Sequence, residues 1–218
     1  MKRTRKRALV INAVRPGIAI LYAAILGMLG FSVLLIYTNN LTALVGLVGI
    51  VAYVGLYSFF KRRTPYGTLV GSISGAVPPV AGYTAASNQL DLGAVLLFFI
   101  LVFWQMPHFY AIAIRRQKEY AAANIPTMPI ERGLVRTKIE MLCYLIAYTA
   151  AIIGLAVFGY AGIVYLLVMI PTSLVWVYLS IDGFYTKDNV AWARKMFLFS
   201  LIATLAFALM ASLGRLLP

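Results

Sequence analysis

Acidic residues, histidine and cysteine are all scarce in this sequence. Its 218 residues include six Asp and Glu, one His and one Cys. A single cysteine, Cys143, excludes an intramolecular disulfide, and a single histidine, His108, cannot supply the paired axial ligands of a haem-holding oxidase subunit. Charged residues make up only 11% of the chain, against about a quarter in soluble domains. The composition therefore excludes an ordinary water-soluble domain.

Apolar residues make up 62% of the chain, and its mean hydropathy is +0.89. A bilayer core of roughly 30 Å needs about 20 apolar residues per helix, and seven runs meet that need. The sequence thus predicts an all-α, polytopic transmembrane bundle with seven spans. The predicted spans are 18–36, 41–60, 67–84, 92–114, 139–158, 162–180 and 196–214. No polar stretch is long enough for a second folding unit, so residues 1–218 are interpreted as one membrane domain.

Basic residues are distributed unevenly between the predicted spans. With the N-terminus inside, 18 of the 19 Lys and Arg fall on one side of the membrane, and only Arg215 falls on the other. By the positive-inside rule, the N-terminus and the long loop 115–138 are predicted to be cytoplasmic. Topology therefore accounts for the net charge of +13, and no nucleic-acid partner is predicted.

Two polar stripes lead from the predicted membrane core to its cytoplasmic surface. One lies on the fourth span and beyond it, if the kink at Pro107 is mild; the other leaves the second span and ends in a dense cation cluster. The first consists of Gln105, His108, Arg115, Arg116 and Glu119, and the second of Tyr53, Tyr57, Lys61 and Thr64. Helix–helix hydrogen bonds and interfacial anchoring are the alternative explanation. Taken together, the stripes predict a site for a prenyl diphosphate, with its tail in an apolar cleft and its diphosphate bound by cations and Mg²⁺.

Five ordered sequence strings resemble the signatures of the haem O synthases (protohaem IX farnesyltransferases), which are intramembrane UbiA-type prenyltransferases. The strings are Arg3-Thr-Arg-Lys-Arg7, Tyr57-Ser-Phe-Phe-Lys-Arg-Arg-Thr64, the Gly/Pro-rich segment 71–82, Trp104-Gln-Met-Pro-His108 and the segment 119–129. This resemblance implies transfer of the farnesyl group of farnesyl diphosphate to a vinyl group of haem B, which gives haem O for terminal oxidases. It also implies a bacterial inner-membrane location, and a haem A synthase or oxidase assembly as a partner.

The same resemblance implies roles for individual residues. Lys61, Arg62 and Glu119 are expected to be catalytic, and Glu119, in place of the family's usual Asp, is expected to hold Mg²⁺. The expected substrate-binding residues are Arg3, Arg7, Tyr57, Thr64, Gln105, His108, Arg115, Tyr120 and Asn124. Haem B is expected as a substrate and not as a bound cofactor.

Family members have nine helices, with an Asn/Asp-rich metal-binding motif before the Arg-Thr-x-x-Arg element. This sequence starts after that motif, so it is expected to be weakly active or inactive alone. One alternative is another UbiA-type prenyltransferase that acts on an aromatic or quinone precursor. A transporter is a second alternative, although ionisable groups near the bilayer midplane, which are typical of transporters, are few here.

Overall fold

A computed structural model describes residues 6–213, and this part of the chain contains helices and no strand. Seven helices are long, and two short ones lie between the fourth and fifth of them. The long helices are α1 (Pro16–Tyr37), α2 (Asn40–Phe60), α3 (Gly67–Ser87), α4 (Leu92–Arg115), α7 (Gly133–Val157), α8 (Ile163–Asp182) and α9 (Asn189–Leu213). The short helices are α5 (Gln117–Ala121) and α6 (Met128–Glu131).

Six of the long helices are long and apolar enough to cross a membrane, which confirms the predicted polytopic α-helical bundle. The exception is α3, which has 21 residues but is rich in Gly, Ser and Pro. It forms at the predicted position and continues through Pro78 and Pro79. Packed neighbours on both sides cover its backbone, as such a sequence requires inside a membrane.

Two helices begin well before their apolar runs. We predicted starts at 139 and 196, whereas α7 begins at Gly133 and α9 at Asn189. Charged residues such as Lys138 and Lys195 stand in the added turns, which a hydropathy pattern leaves out. The Lys195 side chain is exposed and can reach water, whereas the buried Lys138 finds its partners in the protein, so both helices continue beyond their apolar runs.

Helix α4 lies at the centre of the bundle. It packs against α3, α7 and α9, and α8 closes a four-helix group by packing against α7 and α9. Most of the buried apolar core lies in this group, with Ile100, Met141, Ile152 and Trp176 completely buried. Helix α2 packs against α3, and α1 packs against α2 with no buried residue of its own.

Polar contacts identify the two ends of the bundle. At one end, Asn39 Nδ2 donates to Thr84 O at 2.8 Å, joining the start of α2 to the end of α3. At the other end, which we call the basic end, lie the connections 61–66, 116–132 and 183–188. There Lys138 Nζ donates to Gly183 O at 2.6 Å and to Asn189 Oδ1 at 2.5 Å, joining α7 to the α8–α9 connection.

Candidate active site

A cleft of about 1080 Å³ opens at the basic end and extends into the bundle. It is lined by α2, α3, α4, the segment 116–127 and Phe197 of α9. On α2 its lining runs from Lys61 to Gly46, which spans roughly 22 Å at about 1.5 Å per helical residue. The deep part is mostly apolar, with Gly46, Ile50 and Val77, so the cleft is suited to a long hydrocarbon chain with a polar head.

Glycines let the helices around the cleft approach one another closely. A Cβ on Gly71 would lie 2.8 Å from the Tyr57 ring, and one on Gly75 would lie 2.0 Å from Gln105 Oε1. Gln105 Nε2 donates to Ser72 O at 3.2 Å and to Leu101 O at 2.9 Å, which fixes the amide between α3 and α4. The glycines on α3 therefore make room for the side chains that form the cleft wall.

One face of α2 brings two tyrosines and a lysine into the cleft. The Tyr53 and Tyr57 rings stack with centroids 5.5 Å apart, and Lys61 Nζ lies 5.0 Å from the Tyr57 centroid. Residues Ala52–Tyr57 form a π-helical segment, a rare geometry that often occurs at functional sites. Aromatic faces and one ammonium group thus stand side by side along this wall.

Four cationic side chains line the mouth of the cleft: Arg7, Lys61, Arg115 and Arg116. No Asp or Glu is among the described lining residues. Arg116 forms an ion pair with Glu119 at 3.6 Å, while Arg115 lies over the Phe197 ring at 5.3 Å. The mouth is therefore strongly positive and is suited to a multiply charged anion.

Two buried polar atoms beside the mouth have no hydrogen-bond partner in the described chain. They are Glu119 Oε2 and Thr127 Oγ1, and Thr127 itself lines the cleft. A buried polar atom without a partner costs free energy unless a ligand satisfies it. Thr127 Oγ1 therefore leaves hydrogen-bonding capacity free beside the positive charge, whereas Glu119 Oε2 accepts no hydrogen bond but forms the ion pair with Arg116.

The described residues contain no group of three His, Cys, Asp or Glu side chains that could bind a metal ion. Mg²⁺ often takes one or two protein carboxylates and completes its shell with phosphate oxygens and water. Glu119, with an oxygen that accepts no hydrogen bond, fits such a site as the single carboxylate ligand.

Six of the predicted site residues line the cleft, and five described ones do not. Those that line it are Arg7, Tyr57, Lys61, Gln105, Arg115 and Tyr120. Those that do not are Arg62, Thr64, His108, Glu119 and Asn124. Arg3 lies outside the described residues.

The five that do not line the cleft have other surroundings. Arg62 is exposed, and Thr64 Oγ1 accepts a hydrogen bond from the Tyr66 amide at 2.9 Å in the turn before α3. Asn124 has a positive φ of 49° after α5, a conformation that Asn tolerates well in turns. Glu119 lies on α5 and not on a continuation of α4, because α4 ends at Arg115.

His108 lies on α4 beside the cleft and packs against α9. Its ring stacks on Trp104 at 4.9 Å and contacts Phe197 at 5.0 Å between centroids. Its Nδ1 lies 2.6 Å from Ser200 Oγ, and Trp104 Nε1 donates to Ser200 O at 2.8 Å. Phe197 is shared by this group and by the cleft lining.

Some lining residues were not predicted as site residues. Thr127 lies within the string 119–129, and Arg116 lies on the first polar stripe, but the sequence assigned neither of them a role in the site. Phe197 lines the cleft from α9, and Ser200 of the same helix contacts Trp104 and His108, but neither was predicted. Because their partners on α4 are about 90 positions away in the sequence, no local pattern signals these contacts.

Comparison with known families decides how this site is interpreted. The model of the UbiA prenyltransferase family matches residues 1–202. The chain belongs to this family. It is therefore a prenyltransferase and a multi-pass membrane protein, as the sequence predicted.

Individual UbiA relatives are similar over the whole chain. A protoheme IX farnesyltransferase 2 of Pseudomonas aeruginosa (strain UCBPP-PA14) is 48% identical over 98% of this chain and 72% of its own length. The protoheme IX farnesyltransferases of Salmonella typhimurium (strain LT2) and Enterobacter sp. (strain 638) are 44% and 43% identical, each over 100% of this chain and 74% of their own length.

A solved structure from a study of digeranylgeranylglyceryl phosphate synthase in membranes shares the fold. Its TM-score is 0.78 over 98% of this chain and 76% of that one, at 16% sequence identity. This likeness supports the helix arrangement and says nothing of the acceptor substrate.

Proposed function

We propose that this UbiA prenyltransferase transfers the farnesyl group of farnesyl diphosphate to a vinyl group of haem B, forming haem O. The relatives at 43–48% identity support this acceptor, since all of them are named protoheme IX farnesyltransferases. The single observation that carries the chemistry is the cleft, which joins an apolar interior to a mouth lined by four cations. That arrangement suits an isoprenoid diphosphate, which has a long hydrocarbon tail and a multiply charged head.

The farnesyl chain would lie along α2 and α3, with the diphosphate at the basic end. Arg7, Lys61, Arg115 and Arg116 would donate hydrogen bonds to its oxygens, and Thr127 Oγ1 would find there the partner that it lacks. Burial of each CH₂ contributes about 0.8 kcal/mol, so the tail adds to the affinity that the cations provide.

The reaction requires cleavage of the C1–O bond, with the electron pair leaving on the diphosphate. Fixed cations stabilise the charge that develops on the leaving group. The stacked faces of Tyr53 and Tyr57 would stabilise the positive charge left on the allylic carbons. The vinyl carbon of haem B then bonds to C1, and water supplies a hydroxyl to the resulting cation with loss of a proton.

Glu119 would hold Mg²⁺ together with the diphosphate oxygens, and the ion would add positive charge at the leaving group. Arg116, in its ion pair with Glu119, would be positioned beside the same oxygens. Only one carboxylate among the described residues is available for this role. The expectation that the chain is weakly active or inactive alone stays a prediction.

By the positive-inside rule, we place the basic end on the cytoplasmic side of a bacterial inner membrane. Soluble farnesyl diphosphate and Mg²⁺ would then reach the mouth directly, while haem B would enter from the bilayer. A haem A synthase or a terminal oxidase assembly is the proposed recipient of the product.

The test compares two variants that each remove one positive charge from the same connection. Lys61 lines the cleft, whereas Arg63 lies over the Phe59 ring at 3.7 Å and does not. Lys61→Met should lower farnesyl diphosphate affinity by about 10-fold or more, since a hydrogen bond to a charged group contributes about 1.5–3 kcal/mol. Arg63→Met should leave this affinity nearly unchanged.

Farnesyl diphosphate binding and product formation are both measured on purified protein in detergent. Binding of farnesyl diphosphate gives a readout even if turnover is slow, and mass spectrometry identifies the product formed with haem B. Equal losses in the two variants would contradict the role of the cleft. A prenylated quinone precursor in place of haem O would contradict the proposed acceptor.

A further inference from the structure

The side-chain amide of Gln105 keeps one hydrogen-bond acceptor free inside the cleft. Its Nε2 donates to Ser72 O at 3.2 Å and to Leu101 O at 2.9 Å, which uses both amide hydrogens. Both partners are carbonyls that can only accept, so the amide cannot turn its oxygen toward them. Oε1 is therefore fixed on the side of Gly75, where an added Cβ would lie 2.0 Å from it.

Gln105 Oε1 accepts no hydrogen bond from any residue that the structure describes. The fully buried unpaired atoms of those residues do not include it, although Gln105 as a whole is only 5% exposed. Gln105 and Gly75 both line the cleft, so the accessible part of this oxygen opens into the cleft. Gln105 lies ten positions before Arg115 on α4, roughly 15 Å deeper than the mouth. A free carbonyl oxygen at such a depth costs free energy unless a donor reaches it.

The free oxygen lies close to the tyrosine wall of the cleft. A Cβ on Gly71 would meet the Tyr57 ring, and one on Gly75 would meet Gln105 Oε1. These two glycines are four positions apart on α3, which is about 6 Å along the helix. The Tyr53 ring stacks on that of Tyr57 at 5.5 Å and lies one turn further from the mouth on α2. Gln105 Oε1 is therefore within about one helical turn of the aromatic faces proposed to stabilise the allylic cation.

Among the reactants of the proposed transfer, water is the one that can donate a hydrogen bond to this oxygen. The farnesyl chain and the vinyl groups of haem B carry no N–H or O–H group. The oxygens of the diphosphate and of ionised propionates only accept hydrogen bonds. The free acceptor on Gln105 therefore fits the water molecule that the reaction consumes.

We propose that Gln105 is a catalytic residue that binds and orients the water molecule whose oxygen enters the product. The proposal rests on the proposed function, because it takes haem B as the acceptor. Once the terminal vinyl carbon has bonded to farnesyl C1, the inner vinyl carbon carries the positive charge. A water molecule that donates one O–H to Gln105 Oε1 directs a lone pair at this carbon. Its oxygen forms the new C–O bond, and its other proton passes to the departing diphosphate.

Without an oriented water molecule, the same cation has a second outcome. It loses a proton from the neighbouring carbon to the diphosphate and forms an alkene, which is lighter than haem O by one water. The ratio of hydroxylated to dehydrated product therefore reports whether the water is held in place. Because both products come from the same active molecules, this ratio does not depend on how much of a variant folds.

The test measures this ratio by mass spectrometry after prolonged incubation of the purified protein with farnesyl diphosphate, haem B and Mg²⁺ in detergent. A parallel reaction in heavy-oxygen water identifies the hydroxyl that comes from solvent. Gln105→Leu removes the acceptor and should lower the ratio by about 5-fold or more, the factor that one hydrogen bond typically contributes. Gln105→Glu should keep most of the ratio, because a neutral carboxyl can donate to one backbone carbonyl and still accept from water.

Ser74→Ala is the matched control, because it removes another polar side chain from the cleft lining. Ser74 Oγ donates to Gly71 O at 2.8 Å, so its hydrogen is already used within α3. This variant should keep the wild-type product ratio. An equal fall in Ser74→Ala and Gln105→Leu would show that the general polarity of the cleft decides the outcome, and the role of the Gln105 oxygen would be refuted.

The outcomes separate this proposal from the proposed function. If the wild-type protein and Gln105→Leu form farnesylated haem with the same product ratio, the water-binding role is refuted and the farnesyl transfer stands. If the wild-type protein binds farnesyl diphosphate but forms no farnesylated haem of either mass, the farnesyl transfer is in error and the water-binding role falls with it.

Discussion

Alanine in place of Gly75 should separate α3 from α4 or displace the Gln105 amide. The new Cβ would lie 2.0 Å from Gln105 Oε1 and 2.9 Å from its Cδ, both closer than real Cβ contacts. If Gln105 rotates away, its hydrogen bonds to Ser72 O and Leu101 O are lost, at about 1 kcal/mol each. If the helices separate instead, overpacking typically costs about 1–3 kcal/mol.

A control for this variant lies on the same helix. A Cβ added to Gly82 would have no neighbour within 4 Å, so Gly82→Ala should gain roughly 1 kcal/mol from helix propensity without a clash. Gly75→Ala gains the same stability from helix propensity. The difference in stability between the two variants is therefore the steric cost at position 75. For a chain of this size, about 2–3 kcal/mol corresponds to a melting temperature roughly 5–10 °C lower.

The two variants and the wild-type protein are compared in one detergent by far-ultraviolet circular dichroism on heating. Farnesyl diphosphate binding is measured in parallel, because Gly75 also lines the cleft. Equal melting temperatures for Gly75→Ala and Gly82→Ala would show that α3 and α4 leave room for a side chain at position 75, contrary to the 2.0 Å approach to Gln105 Oε1.

Three further predictions concern other parts of the chain. Lys138→Met should destabilise the protein by about 1–3 kcal/mol, because Gly183 O loses a buried donor; an unchanged thermal midpoint would contradict this. Desolvation acts to raise the pKa of Asp91, but hydrogen bonds from Tyr83 and a backbone amide outweigh it, so this pKa lies below its ordinary value. The stability that Asp91 contributes is therefore present above the ordinary pKa and lost as the pH falls through the lowered one. Asp91→Asn should abolish this part of the acid dependence of the melting temperature, and identical pH profiles would refute it. Finally, Glu119→Gln should raise severalfold the Mg²⁺ concentration needed for farnesyl diphosphate binding, whereas Glu131→Gln should not.

The helices were predictable because each depends on a local pattern. Runs of apolar residues marked six membrane helices, and α3 was placed correctly in spite of its glycines and prolines. The starts of α7 and α9 were placed too late, because the hydropathy pattern ended where basic residues entered the helix. The interpretation of residues 1–218 as one domain stays a prediction.

The site was predictable only where its residues follow one helix face. Tyr57 and Lys61 share a wall of the cleft because i, i+4 spacing alone brings them together. The stripe on α4 was extended too far, since the helix ends at Arg115 without a Gly or Pro to mark the end. The bond between His108 and Ser200 joins residues 92 positions apart and depends on how α4 packs against α9.

The excess of positive charge at the mouth also affects the end of the reaction. Arg7, Lys61 and Arg115 have no carboxylate partner among the residues of the described chain, so departing diphosphate faces the groups that attracted it on arrival. Release of this product is then slow unless counter-ions or the next substrate displace it. We expect added inorganic diphosphate to inhibit turnover, and added salt to relieve that inhibition by screening the mouth.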